Sequence, residues 1–258
     1  MFSGGSTNLL ELHNGGVITG DVLAAGSADS FRLGGVEDGT FDVSLIGPSR
    51  QYRNFEYLQK TGGSTWTITG QATNQPAPWA IYDGTLMMSA GSDLGDVPLT
   101  NYSGTFAGIG TVGPVSLYGP TLQAPGGAII APGVNDIGTL TIDGTFHSDR
   151  GVLQIETELG DDTSPTDLLR VTGNTSGSTN VRVNNVGGTG AQTVEGIRIV
   201  QVDGTSEGAF SLLGDYVFQG EQAVVAGAYA YRLYQGSVSD PTDGDWYLRS
   251  AAVPDPDP

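Results

Sequence analysis

GTLTIDG at residues 138–144, GVLQIETELG at 151–160, LLRVTG at 168–173, NVRVNNVGG at 180–188 and GIRIVQVDG at 196–204 repeat one plan. In each, two aliphatic residues flank a polar one: Leu140 and Ile142 around Thr141, Leu153 and Ile155 around Gln154, Leu169 and Val171 around Arg170, Val181 and Val183 around Arg182, Ile197 and Ile199 around Arg198. Successive side chains of a strand point to opposite faces, so every segment carries one aliphatic and one polar face. Each segment ends in Gly, Asn or Asp, residues suited to tight turns. The segments read as short strands punctuated by turns.

The same pattern runs upstream in GGVITGDVL at 15–23, twice within 31–47, in FEYLQKTGGSTWTITG at 55–70, GTLMM at 84–88 and SGTFAGIGTVG at 103–113. Stacked repeats of this kind bury their aliphatic faces in a shared column and leave the polar faces in water, which is the plan of a solenoid. A sandwich or closed barrel shows the same alternation, but needs antiparallel hairpins of matched strands around two-residue loops. The Asp-Gly pairs at 38–39, 83–84, 143–144 and 203–204 lack such matched partners, so the pattern favours a parallel β-helix over a sandwich. It leaves open whether consecutive strands stack on one face or occupy successive faces of a coil.

Composition agrees with many strands and turns. Gly contributes 41 of 258 residues with no Gly-X-Y period, and charged residues are only 15%. Lys60 is the sole lysine, and the net charge is −18. Such a chain repels phosphate backbones and anionic membrane surfaces, which argues against nucleic-acid and lipid partners. The acidity itself suffices to keep a long β protein soluble. With no Cys, disulfides, thiolate metal sites and a Cys nucleophile are excluded. No apolar run is long enough for a transmembrane helix. Met1-Phe2-Ser3-Gly4-Gly5 lacks the basic and apolar regions of a signal peptide, so an exported protein containing this chain is expected to extend beyond it.

The C-terminal end differs in character. YAYRLY at 229–234 and WYLR at 246–249 are aromatic-rich strands around a polar loop. Tyr229, Tyr231 and Leu233 alternate, as do Trp246 and Leu248, so each set can face inward and cap the core. AAVPDPDP at 251–258 reads as the start of an extended linker, because alternating Pro cannot pair in a sheet.

These stretches also resemble a known family. GGVITGDV, SADSFRL and NFEYLQKTGGSTWTITG resemble the haemagglutinin-like and adhesin-like rungs of type V secretion passengers, through Phe55, Glu56, Leu58, Lys60, Thr61, Gly62, Trp66 and Gly70. Pro132-Gly133-Val134-Asn135-Asp136-Ile137-Gly138-Thr139-Leu140 is similar to the passenger-associated transport repeat. It is one residue longer than the usual Pro-Gly-x-Ser-Ile-Gly-Thr-Leu string and has Asp for Ser, which implies a lengthened turn. Residues 159–206, followed by YAYRLYQG and DGDWYLRS, resemble the pertactin-like C-terminal region of bacterial autotransporters. The resemblance implies an all-β, right-handed parallel β-helix with a C-terminal aromatic-rich cap. Its expected parts are passenger rungs over 1–137, an autochaperone end over 138–250 and a linker over 251–258. The implied partner is the protein's own translocator β-barrel, which this chain lacks. The implied location is the exported, Gram-negative cell surface.

Residues able to do chemistry are few. Asp161, Asp162 and Asp167 could bind Ca²⁺ or act as paired carboxylates on a glycan, but Asx and Ser/Thr turns explain them without a ligand. Ala25-Gly26-Ser27-Ala28-Asp29-Ser30-Phe31 is one imperfect copy of a calcium nonapeptide that works only in stacks. His13 and His147 are far apart, with no Gly-x-Ser-x-Gly and no Cys beside them, and read as solvated turn residues. Arg170, Arg182, Arg198 and Arg232 point outward. Lying on different faces beside carboxylates they are structural, whereas stacked as a stripe they would repel unless a partner used them. No catalytic residue, metal or cofactor is therefore expected. The leading reading is a stalk and folding nucleus for a larger, adhesive passenger. The alternatives are a direct adhesin surface for host or cell-surface ligands and a polysaccharide-active β-helix.

Overall fold

The computed structural model describes residues 7–74, 77–122, 124–134 and 136–253. The N-terminal pentapeptide, Asn135 and residues 254–258 of the expected linker lie outside the described residues. Among the described residues the chain is all-β, the one helical element being a 3-10 turn at Val43–Leu45 whose preceding Asp42 carboxylate accepts the Ser44 N–H.

Most strands pair in parallel, in stacks. A first stack runs through Leu9–Leu12, Ser30–Leu33, Tyr57–Lys60, Trp79–Ile81, Leu99–Asn101, Val115–Tyr118 and the start of Phe146–Thr157. A second runs through Gly39–Asp42, Thr65–Thr69, Thr85–Asp93, Gly104–Val112, Ala128–Pro132, the later half of Phe146–Thr157, Thr175–Asn185 and Ala209–Leu212. A third links the end of Gly104–Val112 to Thr139–Ile142, Leu168–Val171 and Ile197–Val202. Consecutive strands thus go to successive stacks, which settles the question the sequence left open.

Register turns the sequence alternation into columns. Phe31, Leu58, Trp79, Leu99, Val115 and Phe146 succeed one another in the first stack, and Trp66, Leu86, Phe106, Ile130, Leu153, Val181 and Leu212 in the second. All are buried in one continuous core. Of the aliphatic pairs that define the repeat, every member is buried except Val183, which is half-buried. At the ~4.8 Å spacing of paired strands, each side chain packs on its counterpart one coil away. Phe31, Phe41, Tyr52 and Phe55 cluster at the N-terminal end with ring centroids 5.0–5.8 Å apart.

One inward column breaks the apolar rule. Leu33, Lys60, Ile81, Asn101, Leu117 and Ser148 align there, and the three polar members are fully buried. Each serves a nearby turn. Lys60 Nζ donates to the carbonyls of Thr61 (2.8 Å), Gly62 (2.7 Å) and Asp83 (3.2 Å). Asn101 Nδ2 donates to Ile129 O at 3.0 Å, and Ser148 Oγ accepts Gly151 N–H at 3.1 Å. Buried backbone groups need partners: Lys60 and Asn101 supply donors to carbonyls, and Ser148 supplies an acceptor to an N–H. The corner also needs Gly84: its φ is +68°, and a Cβ there would overlap Gly62 O and the Lys60 amine.

The C-terminal end departs from parallel pairing, so the sheet is mixed. Tyr216–Phe218, Glu221–Ala226, Tyr229–Gln235 and Trp246–Ala252 form an antiparallel meander, and Trp246–Ala252 pairs antiparallel with Ile197–Val202. The expected linker begins too early at 251. Ala251 and Ala252 pair with Ala230 and Tyr229, and Val253 N–H bonds to Ala228 O, because the first proline comes only at 254.

Candidate functional site

Strand Ile197–Val202 is the junction of the two pairing modes. On one side Leu169, Arg170 and Val171 align parallel with Val200, Gln201 and Val202. On the other, Ile197 faces Leu248 and Val200 faces Trp246 in antiparallel register. Residues expected to form the cap meet here. Tyr231 and Leu248 are completely buried, Trp246 is buried with its ring 5.1 Å from Phe210, and Tyr229 and Leu233 are half-buried against the core. Leu233 lies opposite Leu248 and Gln235 opposite Trp246. Burial of such side chains stabilises the junction by ~1.5–3 kcal/mol each.

Simple alternation understates this sheet. Tyr247 is buried as well, and Ala230 is buried on the opposite face, with Phe218 and Ala223, in a small second core. Both faces of the meander are therefore covered near Trp246–Leu248, where the sequence pattern expected only one.

Polar bonds fix the junction as tightly as packing does. Tyr231 Oη donates to Gly160 O at 2.8 Å or Ala191 O at 3.0 Å and accepts Ala191 N–H at 2.9 Å. One phenol thus ties the antiparallel meander to the loops at Gly160 and Ala191. Ser250 and Thr193 exchange backbone and hydroxyl bonds at 2.7 and 2.9 Å. Asp245, nearly buried, accepts Val202 N–H at 2.8 Å and meets Arg198 at 3.1 Å. Asp243 accepts the Tyr247 hydroxyl at 2.9 Å and the N–H groups of Ser237 and Asp245. Burial works against the Asp243 carboxylate, but these donors outweigh it and hold its pKa below the usual range. Burial, then the bond to Asp243, push the Tyr247 phenol well up.

The three aspartates considered for calcium do not converge. Asp161 is exposed and bonds Thr163 in an Asx turn. Asp162 reaches across to the backbone at 194–196. Asp167 is buried, accepting Gly138 N–H at 2.9 Å and Glu156 N–H at 2.8 Å, and burial raises its pKa to about 6. Among the described residues no group of carboxylates and imidazoles is arranged to hold a metal ion. Asp29 is buried and held by Asn8 and Gly26; burial pulls its pKa up, and those bonds more than offset it.

Two other expectations need correction. His147 is exposed but sits in strand Phe146–Thr157, bonded to Ser176 at 2.9 Å, because its neighbours Phe146 and Ser148 face inward. His13 lies beyond Leu9–Leu12 and pairs with Glu11. Of the arginines, Arg170 pairs with Asp203, Arg198 with Asp245 and Arg232 with Glu221, and Arg182 is exposed on its strand opposite Gln154. Arg232, expected to point out, is largely covered and lies directly opposite Arg249. The Tyr234 ring lies 5.4 Å from the Arg232 guanidinium and 5.0 Å from that of Arg249, which offsets the like-charge contact.

Residues 122–233, which contain the junction strand and most of the meander, match the family described as Autochaperone Domain Type 1. Over 194 residues, 75% of this chain and 5% of the relative, the sequence is 44% identical to the Adhesin BmaC autotransporter of Brucella suis biovar 1 (strain 1330). The chain is that of an autotransporter passenger with an autochaperone region. The Autotransporter adhesin AIDA-I of Escherichia coli is 39% identical over 43% of this chain and 8% of its own length. The Probable autotransporter YfaL of Escherichia coli (strain K12) is 38% identical over 46% of this chain and 9% of its own. The chain thus spans less than a tenth of these three relatives. The strand that pairs antiparallel with Ile197–Val202, Trp246–Ala252, lies beyond the matched residues.

Proposed function

We propose that this passenger segment is a surface-exposed stalk and autochaperone built as a right-handed parallel β-helix, and that it does no enzymatic chemistry. Residues 138–250 act as the folding unit, and the rungs of 1–137 pair onto it. The observation that carries this reading is the junction strand Ile197–Val202, parallel on one side and sealed on the other by Trp246–Ala252. A solenoid end exposes core and unpaired strand edges, and an end closed by antiparallel strands offers a finished platform for the next rung. The partner is the translocator barrel of the same protein, and the location is the Gram-negative surface. This follows from the similarity to autotransporters, and among the described residues no helix is long and apolar enough to cross a membrane.

Native-state hydrogen exchange of the intact chain tests the reading. Amides of residues 180–250 are expected to outlast those of 1–110, and the reverse order overturns it. In the full-length protein, Tyr231→Ala or Trp246→Ala should impair surface display far more than Phe31→Ala or Trp66→Ala.

A direct adhesive role is the second reading. Tyr82, Tyr102 and Tyr118 stack in register with centroids 5.3 Å apart, and Tyr82 and Tyr102 are exposed. Two of the relatives are named adhesins. Substitution of all three tyrosines by Ser should lower cell adhesion without lowering display if this surface binds a ligand. Unchanged adhesion would remove this reading.

A further inference from the structure

Asp162 lies on the loop after strand Phe146–Thr157. Its carboxylate reaches a neighbouring coil. Oδ1 accepts the N–H groups of Val194 and Gly196, both at 2.9 Å, and Oδ2 accepts that of Glu195 at 3.0 Å. Three consecutive amides are thereby turned toward one anion, and the next residue begins Ile197–Val202. Burial pulls the Asp162 pKa up, but these three donors outweigh it and hold it below the ordinary carboxylate value.

The same short segment is gripped from the cap side. Arg249 Nε donates to Glu195 O at 3.2 Å, Ser239 N–H donates to Glu195 Oε2 at 2.8 Å, and Thr193 is paired with Ser250. Gly196 has φ +115°, and a Cβ on it would stand 2.9 Å from the Tyr247 Cβ and 3.0 Å from Leu248 O. The strand Trp246–Ala252 therefore packs directly on the Gly196 backbone, whose N–H is held by Asp162.

We propose that Asp162 is the positioning residue for cap docking: its carboxylate presets the 194–196 backbone so that Ile197–Val202 receives Trp246–Ala252 in register. The proposal rests on the reading of 138–250 as the folding unit, and it adds an order of events. The 158–167 loop grips 194–196 first, and the cap docks second.

The test is refolding and unfolding of the intact chain, followed by tryptophan fluorescence, for wild type, Asp162→Asn, Asp162→Ala and the neighbouring control Asp161→Asn. A group that acts before docking slows refolding and spares unfolding, whereas a contact made only in the final state does the opposite. Asp162→Asn is expected to slow refolding about 10- to 100-fold, the loss of one or two charge-assisted bonds, with unfolding changed less than about 3-fold. Asp161→Asn should leave both rates near wild type. Faster unfolding with unchanged refolding overturns the proposal, as does no change in either rate. If Asp162→Ala fails to fold, Asp162→Asn still decides, since it keeps the side-chain shape. Failure of the folding-unit reading looks different: exchange in the wild type alone would then protect 1–110 longer than 180–250, whatever Asp162→Asn does.

Discussion

Tyr231→Phe isolates one oxygen atom of the cap. The ring of Tyr231 is completely buried, and Phe refills that space, so no cavity arises. What disappears is the hydroxyl that meets Gly160 O, Ala191 O and Ala191 N–H at 2.8–3.0 Å. Gly160 and Ala191 are themselves only half-buried, so water reaches part of what the hydroxyl leaves, and the loss falls at the lower end for a hydrogen-bonded group, ~1–2 kcal/mol. That corresponds to about 5- to 30-fold faster exchange wherever the opening of the cap exposes amides. The increase should be seen at Leu248, Ser250 and Ala191, and not at Leu58 or Ile68. Tyr231→Ala, which also empties the ring site, should cost about 3–5 kcal/mol. Tyr82→Phe, on an exposed ring, should be silent. If exchange at Leu248 and Ser250 stays within about twofold of wild type in Tyr231→Phe, the phenol is not a clamp and the cap is held by packing alone.

Three further outcomes are expected. Burial lowers the Lys60 pKa from 10.5 to about 8, so the fold favours the neutral amine; stability from this group is lowest below pH 8 and rises between about 8 and 10.5. Urea melts of wild type against Lys60→Met across that range should diverge, and parallel curves would contradict the assignment. Asp167, raised from 3.8 to about 6, contributes stability in full below 3.8 and loses it as pH rises through 6. Carboxyl-carbon NMR of Asp167 should show titration near 6, and a midpoint below 4 would refute it. A chelator should leave the melting temperature unchanged, because Asp161, Asp162 and Asp167 bond separate backbone groups; a drop of several degrees would reveal a calcium site.

Strand positions were legible because a period of two is local: Leu153 and Ile155, or Leu169 and Val171, announce their face within three residues. Stacking partners were not, because a parallel neighbour is a whole coil away: Leu140 lies beside Leu169, and Leu169 beside Val200, yet nothing within either segment names its partner. The polar column had a signal that composition obscures. Lys60 alternates with Leu58 in Tyr57–Lys60, so the period itself places the ammonium inside, where three carbonyls await it. The aromatic C-terminal strands were legible as residues and not as geometry. Tyr247 follows Trp246 out of phase, yet both are buried: Trp246 joins the main core, and Tyr247 lies opposite Tyr234 and Arg198 with its hydroxyl on Asp243.

Asp161, Asp162 and Asp167 show where local reading ends. All three sit in one polar loop, and residue type alone assigns them the same choice between turn and metal. Asp161 answers to Thr163, two residues on, so its turn could be read from the sequence. Asp167 answers to Gly138 and Glu156, and Asp162 to the amides of 194–196, more than thirty residues away. A carboxylate that satisfies backbone donors in another coil couples segments that no nearest-neighbour pairing of strands joins. That coupling matters for stacked strands, whose stability is otherwise a sum of repeats and their immediate interfaces. Asp162, Asp245 and Tyr231 cross-link loop, junction strand and meander, so on the proposed reading the C-terminal end is expected to open as one cooperative unit, with amide exchange rates there falling together.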